Sequence, residues 1–384
     1  MANAHMRSTV SAAAKPAKNY VHIESGRVDW VDYLKGFCIL LVVMLHSVAG
    51  VEKAVGADGW MHVFVEVAQP MRMPAFFMAS GLFLMRTIDR PMAVFTDRKI
   101  VHFAYFYVLW LTIQFAFKAP GMMSEGGIAA PLTNYALAFV QPFGTLWFIY
   151  ALPVFFIVTR WLRPVSPLLV VALAALLQVL PIHTPSMLVN EFAHYFVWFY
   201  AGYAFSGRFF DLAQRASNRP AMMLIASLGI IVVTWLATRW QVPLAGWPHW
   251  VTSGMDGKTL PFSQMPLVSL LLGMAGIVAL VSISAVLANR QQARFIRWCG
   301  SHSIVIYLAF FLPMATSRAI LLKLGIISDT GTVSLMVWIA AVIGPIILFW
   351  LVEKTGYGRF LFERPQWAKL PAANRSGHEK PTQA

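Results

Sequence analysis

The sequence predicts an all-α, polytopic integral membrane protein with about ten transmembrane helices and both termini cytoplasmic. Composition is the first reason. Of 384 residues 58% are hydrophobic and only 12% charged, where soluble domains carry about 25% charged residues. Recurrence is the second, because apolar runs follow one another along nearly the whole chain and each is long enough to cross roughly 30 Å of hydrocarbon. The third is charge: the 30 Lys and Arg residues gather between alternate runs, the pattern that sets orientation.

Taken in order, residues 1–27 are rich in Ala, Ser, Lys and Pro without an apolar core, so they read as a disordered cytoplasmic tail rather than a signal peptide. A membrane domain is expected over 28–353, with spans near 31–50, 61–85, 100–117, 143–160, 168–182, 191–207, 221–238, 263–288, 302–322 and 333–353. Residues 354–384 read as a polar cytoplasmic tail with no further soluble domain. One set of connections holds 22 Lys and Arg and the opposite set six, leaving Lys35 and Arg72 inside spans. The richer set belongs in the cytoplasm.

Several function classes fall away. A net charge of +14 invites nucleic acid, but its residues sit in short clusters at membrane edges, so no nucleic-acid partner is expected. The two cysteines, Cys38 and Cys299, make no disulfide framework. No His-Glu-x-x-His, Gly-x-Ser-x-Gly or Walker-type loop occurs, so no metal, serine hydrolase or P-loop chemistry is predicted. Internal repeats of the transporter kind are missing too. The longest outer loops are 118–142 and 239–262. The second carries Trp247, His249, Trp250, Asp256 and Lys258, a set suited either to a sugar-like ligand or to an aromatic belt.

Ionisable groups inside spans mark functional positions, because burying them in hydrocarbon is costly. His46 lies deep in the first run. Lys35 precedes it by eleven residues, three helical turns plus about 20°, so the two share a face and stand roughly 16 Å apart along the axis. A cation at the cytoplasmic edge and a base within the membrane suit a long thin donor with phosphates at one end, the shape of acyl-coenzyme A. Arg72 is flanked by Pro70 and Pro74, which are expected to break the second helix near a similar depth. It must meet an anion, a carbonyl or an oxyanion, with Glu66 as the competing intrachain partner. Trp147 and Tyr150 open the fourth span and Glu191 and His194 the sixth, on the outer side, where they suit an outer-facing acceptor, though the helix macrodipole explains Glu191 and an aromatic belt Trp147 equally well.

The stretch from Asp32-Tyr-Leu-Lys35-Gly36 to His46 resembles the opening of the membrane-bound acyltransferase 3 family, in which a basic residue, ten intervening residues and a histidine mark the first helix. Arg72-Met-Pro74-Ala-Phe-Phe-Met-Ala-Ser80-Gly81-Leu-Phe resembles that family's second segment, Leu146-Trp147-Phe148 its fourth, and Gly300-Ser-His-Ser-Ile-Val-Ile-Tyr307-Leu its late helix. The likeness covers roughly 27–353. Lys35 stands where many members carry arginine, and Gln69 and Ala75 flank Arg72 where some carry a second arginine.

The resemblance implies a ten-helix domain that moves acyl groups from cytoplasmic acyl-CoA to hydroxyls of envelope molecules, with His46 catalytic and Lys35 and Arg72 aiding donor binding. The sequence therefore reads as an inner-membrane O-acetyltransferase that holds no cofactor and uses acetyl-CoA as co-substrate, acting on a glycan or lipid-linked saccharide. His46 serves as base or as acyl-carrying nucleophile, and Arg72 as oxyanion donor. The rival reading is a transporter or flippase for a polar solute, which also needs a midplane His and Arg.

Overall fold

The computed structural model describes residues 23–24, 27–247 and 259–370. Its axis is α1 (Asp29–Val55), 27 residues that rise about 40 Å. Asp29 and Asp32 complement the dipole in the first turn, and Gly56, at φ +78°, ends the helix by donating its N–H to the Glu52 carbonyl at 2.7 Å. α2 (His62–Gly81), α3 (Met92–Thr96), α4 (His102–Gly126), α5 (Ala129–Leu137), α6 (Trp147–Trp161), α7 (Pro167–Val179) and α8 (Met187–Ala204) follow. Then come α9 (Ser206–Asn218), α10 (Pro220–Arg239), α11 (Pro266–Arg290), α12 (Arg294–Ser301), α13 (Ser303–Ala309), α14 (Phe311–Leu324) and α15 (Thr330–Thr355). Two short antiparallel ribbons are the strands among the described residues, Ile23–Glu24 with Arg27–Val28 and Gln241–Pro243 with Thr259–Pro261. The fold is an all-α, polytopic membrane architecture.

Six helical runs among the described residues are long and apolar enough to cross a membrane: Asp29–Val55, Met92–Ser124, Gly144–Trp161, Pro220–Arg239, Pro266–Arg290 and Thr330–Thr355. α13 and α14, bent by 50° at their junction, make a seventh if counted as one span. Length and apolarity thus account for six or seven of the ten expected crossings. The shortfall has physical causes. α7, at 13 residues, rises only about 20 Å. α2 and α8 are long enough, but Glu66, Gln69 and Arg72 in one and Asn190, Glu191 and His194 in the other dilute their apolarity.

The expected break in α2 is not found. The helix continues through both Pro70 and Pro74, as proline is tolerated in membrane helices that pack against others. α11 comes close to the first proline, its Gly273 lying beside the Pro70 carbonyl. At the other end of α2 a reciprocal pair of glycines sets the contact with α8. A Cβ on Gly81 would lie 2.1 Å from the Phe199 carbonyl oxygen, and one on Gly202 would lie 2.2 Å from that of Met78. The two backbones meet because neither residue has a side chain.

Two further contacts tie the bundle together. Asp329 caps α15: the Thr332 hydroxyl and backbone N–H, the latter at 2.6 Å, hold its carboxyl below the usual range, and Trp60 donates to it at 3.2 Å. Residues 359–370, within the stretch read as a polar tail, fold back onto α4. Trp110 donates to the Leu361 carbonyl and Tyr105 to that of Phe360, both at 3.0 Å. Arg364 forms a buried ion pair with Asp97, which also accepts from the Leu370 N–H at 2.8 Å. Asp97 opens a π-helical stretch, Asp97–Val101, between α3 and α4.

Candidate active site

A cavity of about 110 Å³ lies where α1, α2, α6, α8 and α13 converge. α1 contributes His46, with Val42 one turn earlier; α2 contributes Arg72 and Phe76. The remaining wall comes from Thr145 and Trp147 beside the start of α6, Glu191 and Tyr195 of α8, and Tyr307 of α13. Four of the predicted residues, His46, Arg72, Trp147 and Glu191, therefore come together although up to 145 positions separate them in sequence. Pockets for whole ligands run to roughly 300–1,000 Å³. This one has room only for the reacting end of a larger molecule.

Two of its polar groups, on His46 and Arg72, lack hydrogen-bond partners among the described residues. His46 lies 5.6 Å from the Phe310 ring, and among the described residues neither of its nitrogens makes a hydrogen bond. Arg72 is only 7% exposed, yet its Nε and one terminal nitrogen, Nη1, have no acceptor. A buried guanidinium left so is costly unless something else takes up its donors. His46, Arg72, Tyr195 and Glu191 all line this one cavity.

The expected alternative partner of Arg72 is engaged elsewhere. Glu66 lies 2.9 Å from Arg239 of α10 and 3.7 Å from His62. Because α2 is unbroken, six residues turn the chain by 600°, which leaves Glu66 and Arg72 on different faces. An Arg72–Glu66 pair needed the break that is absent.

The wall opposite α1 is aromatic. Phe76 stacks on Phe148 at 4.6 Å, Phe77 on Tyr195 at 5.0 Å, and Trp147 faces Tyr195 at 5.8 Å. Gly144, at φ +55°, begins a 3₁₀ turn through Leu146 that swings Thr145 and Trp147 towards the cavity. Tyr307 donates its hydroxyl to the Thr145 carbonyl, and the buried Gln114 reaches the Thr145 hydroxyl at 3.5 Å. Of these, Tyr195, Thr145 and Gln114 were not singled out from sequence. The four-residue spacing of Glu191 and Tyr195 on one helix face was the signal available for the first.

Other predicted residues lie outside the cavity lining. Tyr150 donates to the Phe139 carbonyl at 3.0 Å and packs on Tyr107 at 5.0 Å, so it secures the segment after α5. His194 is exposed and touches Tyr195 at its ring edge. Lys35 is half-buried near the start of α1, 5.9 Å from the Phe83 ring and about 16 Å along the axis from His46. Lys99, within the π-helical stretch, sits over Phe156 at 4.5 Å amid the positive charge of Lys35, Arg90 and Arg98. Trp247 is exposed, and His249, Trp250, Asp256 and Lys258 lie outside the described residues.

A family model described as an acyltransferase domain, that of the acyltransferase 3 family, matches residues 28–354. The chain belongs to that family. Among curated proteins, inner membrane protein YcfT of Escherichia coli (strain K12) is 25% identical over 235 residues, which is 54% of this chain and 65% of that relative. The chain thus spans just under two thirds of the relative's length. No solved structure matches. All the cavity residues fall within the acyltransferase 3 match, as do Lys35 and Lys99.

Proposed function

We propose that this chain is an inner-membrane O-acyltransferase that takes an acetyl group from cytoplasmic acetyl-CoA and delivers it to a hydroxyl of an envelope glycan or lipid-linked saccharide. One observation carries the reading: a histidine and a buried arginine, without hydrogen-bond partners among the described residues, share a small cavity inside the membrane domain of an acyltransferase 3 chain.

The chemistry follows from the groups. His46, as neutral imidazole, takes the proton of the acceptor hydroxyl while its oxygen attacks the thioester carbonyl carbon. Arg72 donates N–H groups to the carbonyl oxygen as it becomes an oxyanion, in surroundings of low dielectric where such donors count most. The C–S bond then breaks, and the coenzyme A thiolate takes the proton from His46. An acyl-histidine route uses the same residues in two steps. The cavity's size favours a two-carbon acyl group, and the cations at Lys35 and Lys99 suit the donor's phosphates. In this reading the basic ends of the helices and both termini face the cytoplasm, and the N-terminal end of α8 faces the opposite side. The name of the YcfT relative supports the inner membrane.

The test is transfer of labelled acetyl groups from acetyl-CoA to isolated envelope glycan by the purified protein in vesicles. Incorporation dependent on His46 is the expected result. Solute movement across the vesicle without acetyl-CoA turnover would replace this reading with the transporter.

A further inference from the structure

Glu191 and Tyr195 face the cavity from α8, one turn and about 6 Å apart. Neither side chain makes a hydrogen bond or ion pair to another described residue. The Glu191 carboxyl group and the Arg72 guanidinium thus line one small cavity with no ion pair between them. Phe77 and Trp147 pack on the Tyr195 ring and hold it in the wall of the cavity that Glu191 and Arg72 also line. Neither group has a task in the acyl-transfer chemistry above. His46 and Arg72 already supply the base and the oxyanion donor.

We infer that Glu191 and Tyr195 form an acceptor subsite that binds a second hydroxyl next to the one being acylated, so that the acceptor is a vicinal diol or polyol. The inference rests on the acyltransferase reading. Glu191 accepts the hydrogen bond of the non-reacting hydroxyl and Tyr195 donates to its oxygen, which turns the neighbouring hydroxyl towards His46. Trp147 offers the flat apolar face that the carbon skeleton of a polyol lies against. A monohydric alcohol leaves both side chains without that partner in the cavity. Sites built to bond a hydroxyl reject the analogue lacking it for this reason.

The test compares 1,2-propanediol, 1-propanol and methyl glucoside as acceptors, with acetyl-CoA as donor and the full-length protein in vesicles. Coenzyme A release without added alcohol is recorded first. The wild type is expected to use the diol and the glucoside at least about tenfold better than 1-propanol in kcat/KM, and Glu191→Gln to shrink that preference mainly through a higher diol KM. Tyr195→Phe should shrink it in the same direction. Equal use of diol and 1-propanol by the wild type overturns the subsite without any variant having to fold. An unchanged preference in Glu191→Gln overturns the role of that residue. Coenzyme A release with no transfer to the diol or the glucoside defeats the inference alone; no release and no transfer at all defeats the acyltransferase reading as well.

Discussion

α2 and α10 are both twenty residues long, yet they are built in opposite ways. α10 is apolar on every side, and its four buried residues are Ser227, Thr234, Ala237 and Thr238. Small and hydroxylated positions face its neighbours, with Ser227 and Thr234 returning hydrogen bonds to Met223 and Ile230 of their own helix, while Ile225, Leu228, Val233 and Leu236 point outward. α2 carries Glu66, Gln69, Arg72 and two prolines, and buries twelve residues. In a bilayer the outside is the apolar place, so a helix as apolar as α10 can stand at the periphery, only 22% of its span buried. A helix that hydropathy passes over has room for chemistry, because other helices, not lipid, surround it.

If that contrast is right, damage concentrates on the α2 side. The largest effect belongs to His46 on α1, across the cavity from Arg72. His46→Ala should cost about 10² to 10⁴ in acetyl transfer while the protein accumulates normally, measured by turnover of labelled acetyl-CoA in vesicles. Arg72→Lys keeps the charge but loses the planar fork. At saturating donor its maximal rate should fall by about 10² to 10³, with a smaller change in donor affinity. Equal maximal rates would remove Arg72 from the transition state.

Gly202→Ala sharpens the packing side of the comparison. Its methyl group would collide with a backbone carbonyl of α2, so thermal unfolding in detergent should show about 1–3 kcal/mol of destabilisation and activity should fall with it. Lys35→Ala should raise the apparent KM for acetyl-CoA severalfold, with Lys35→Arg restoring most of it. At the bottom stands Gly229→Ala in α10, where an added methyl meets nothing within 4 Å. It should leave transfer unchanged and gain up to about 1 kcal/mol from helix propensity. A large loss there would mean that α10 is not the bystander its surface suggests.

Composition and spacing alone determined that the chain is a bundle of membrane helices, and they singled out His46, Arg72 and Lys35. Hydrocarbon makes polar groups conspicuous: in a sequence that is 58% hydrophobic, a histidine or arginine within an apolar run stands out without any fold. Glu191 and Trp147 were also legible, as polar and aromatic openings of their helices. The tertiary structure decided which candidates meet. Tyr150 and His194 looked as suitable as Trp147 and Glu191, but which face of a helix turns inward depends on where its neighbours pack. It also decided that α2 continues through its prolines and so keeps Glu66 away from Arg72, because a helix's tolerance of proline depends on what packs around it and cannot be read within one segment. The close approach of α2 and α8 rests on two glycines, Gly81 against the Phe199 carbonyl and Gly202 against that of Met78, contacts that exist only once the bundle is assembled.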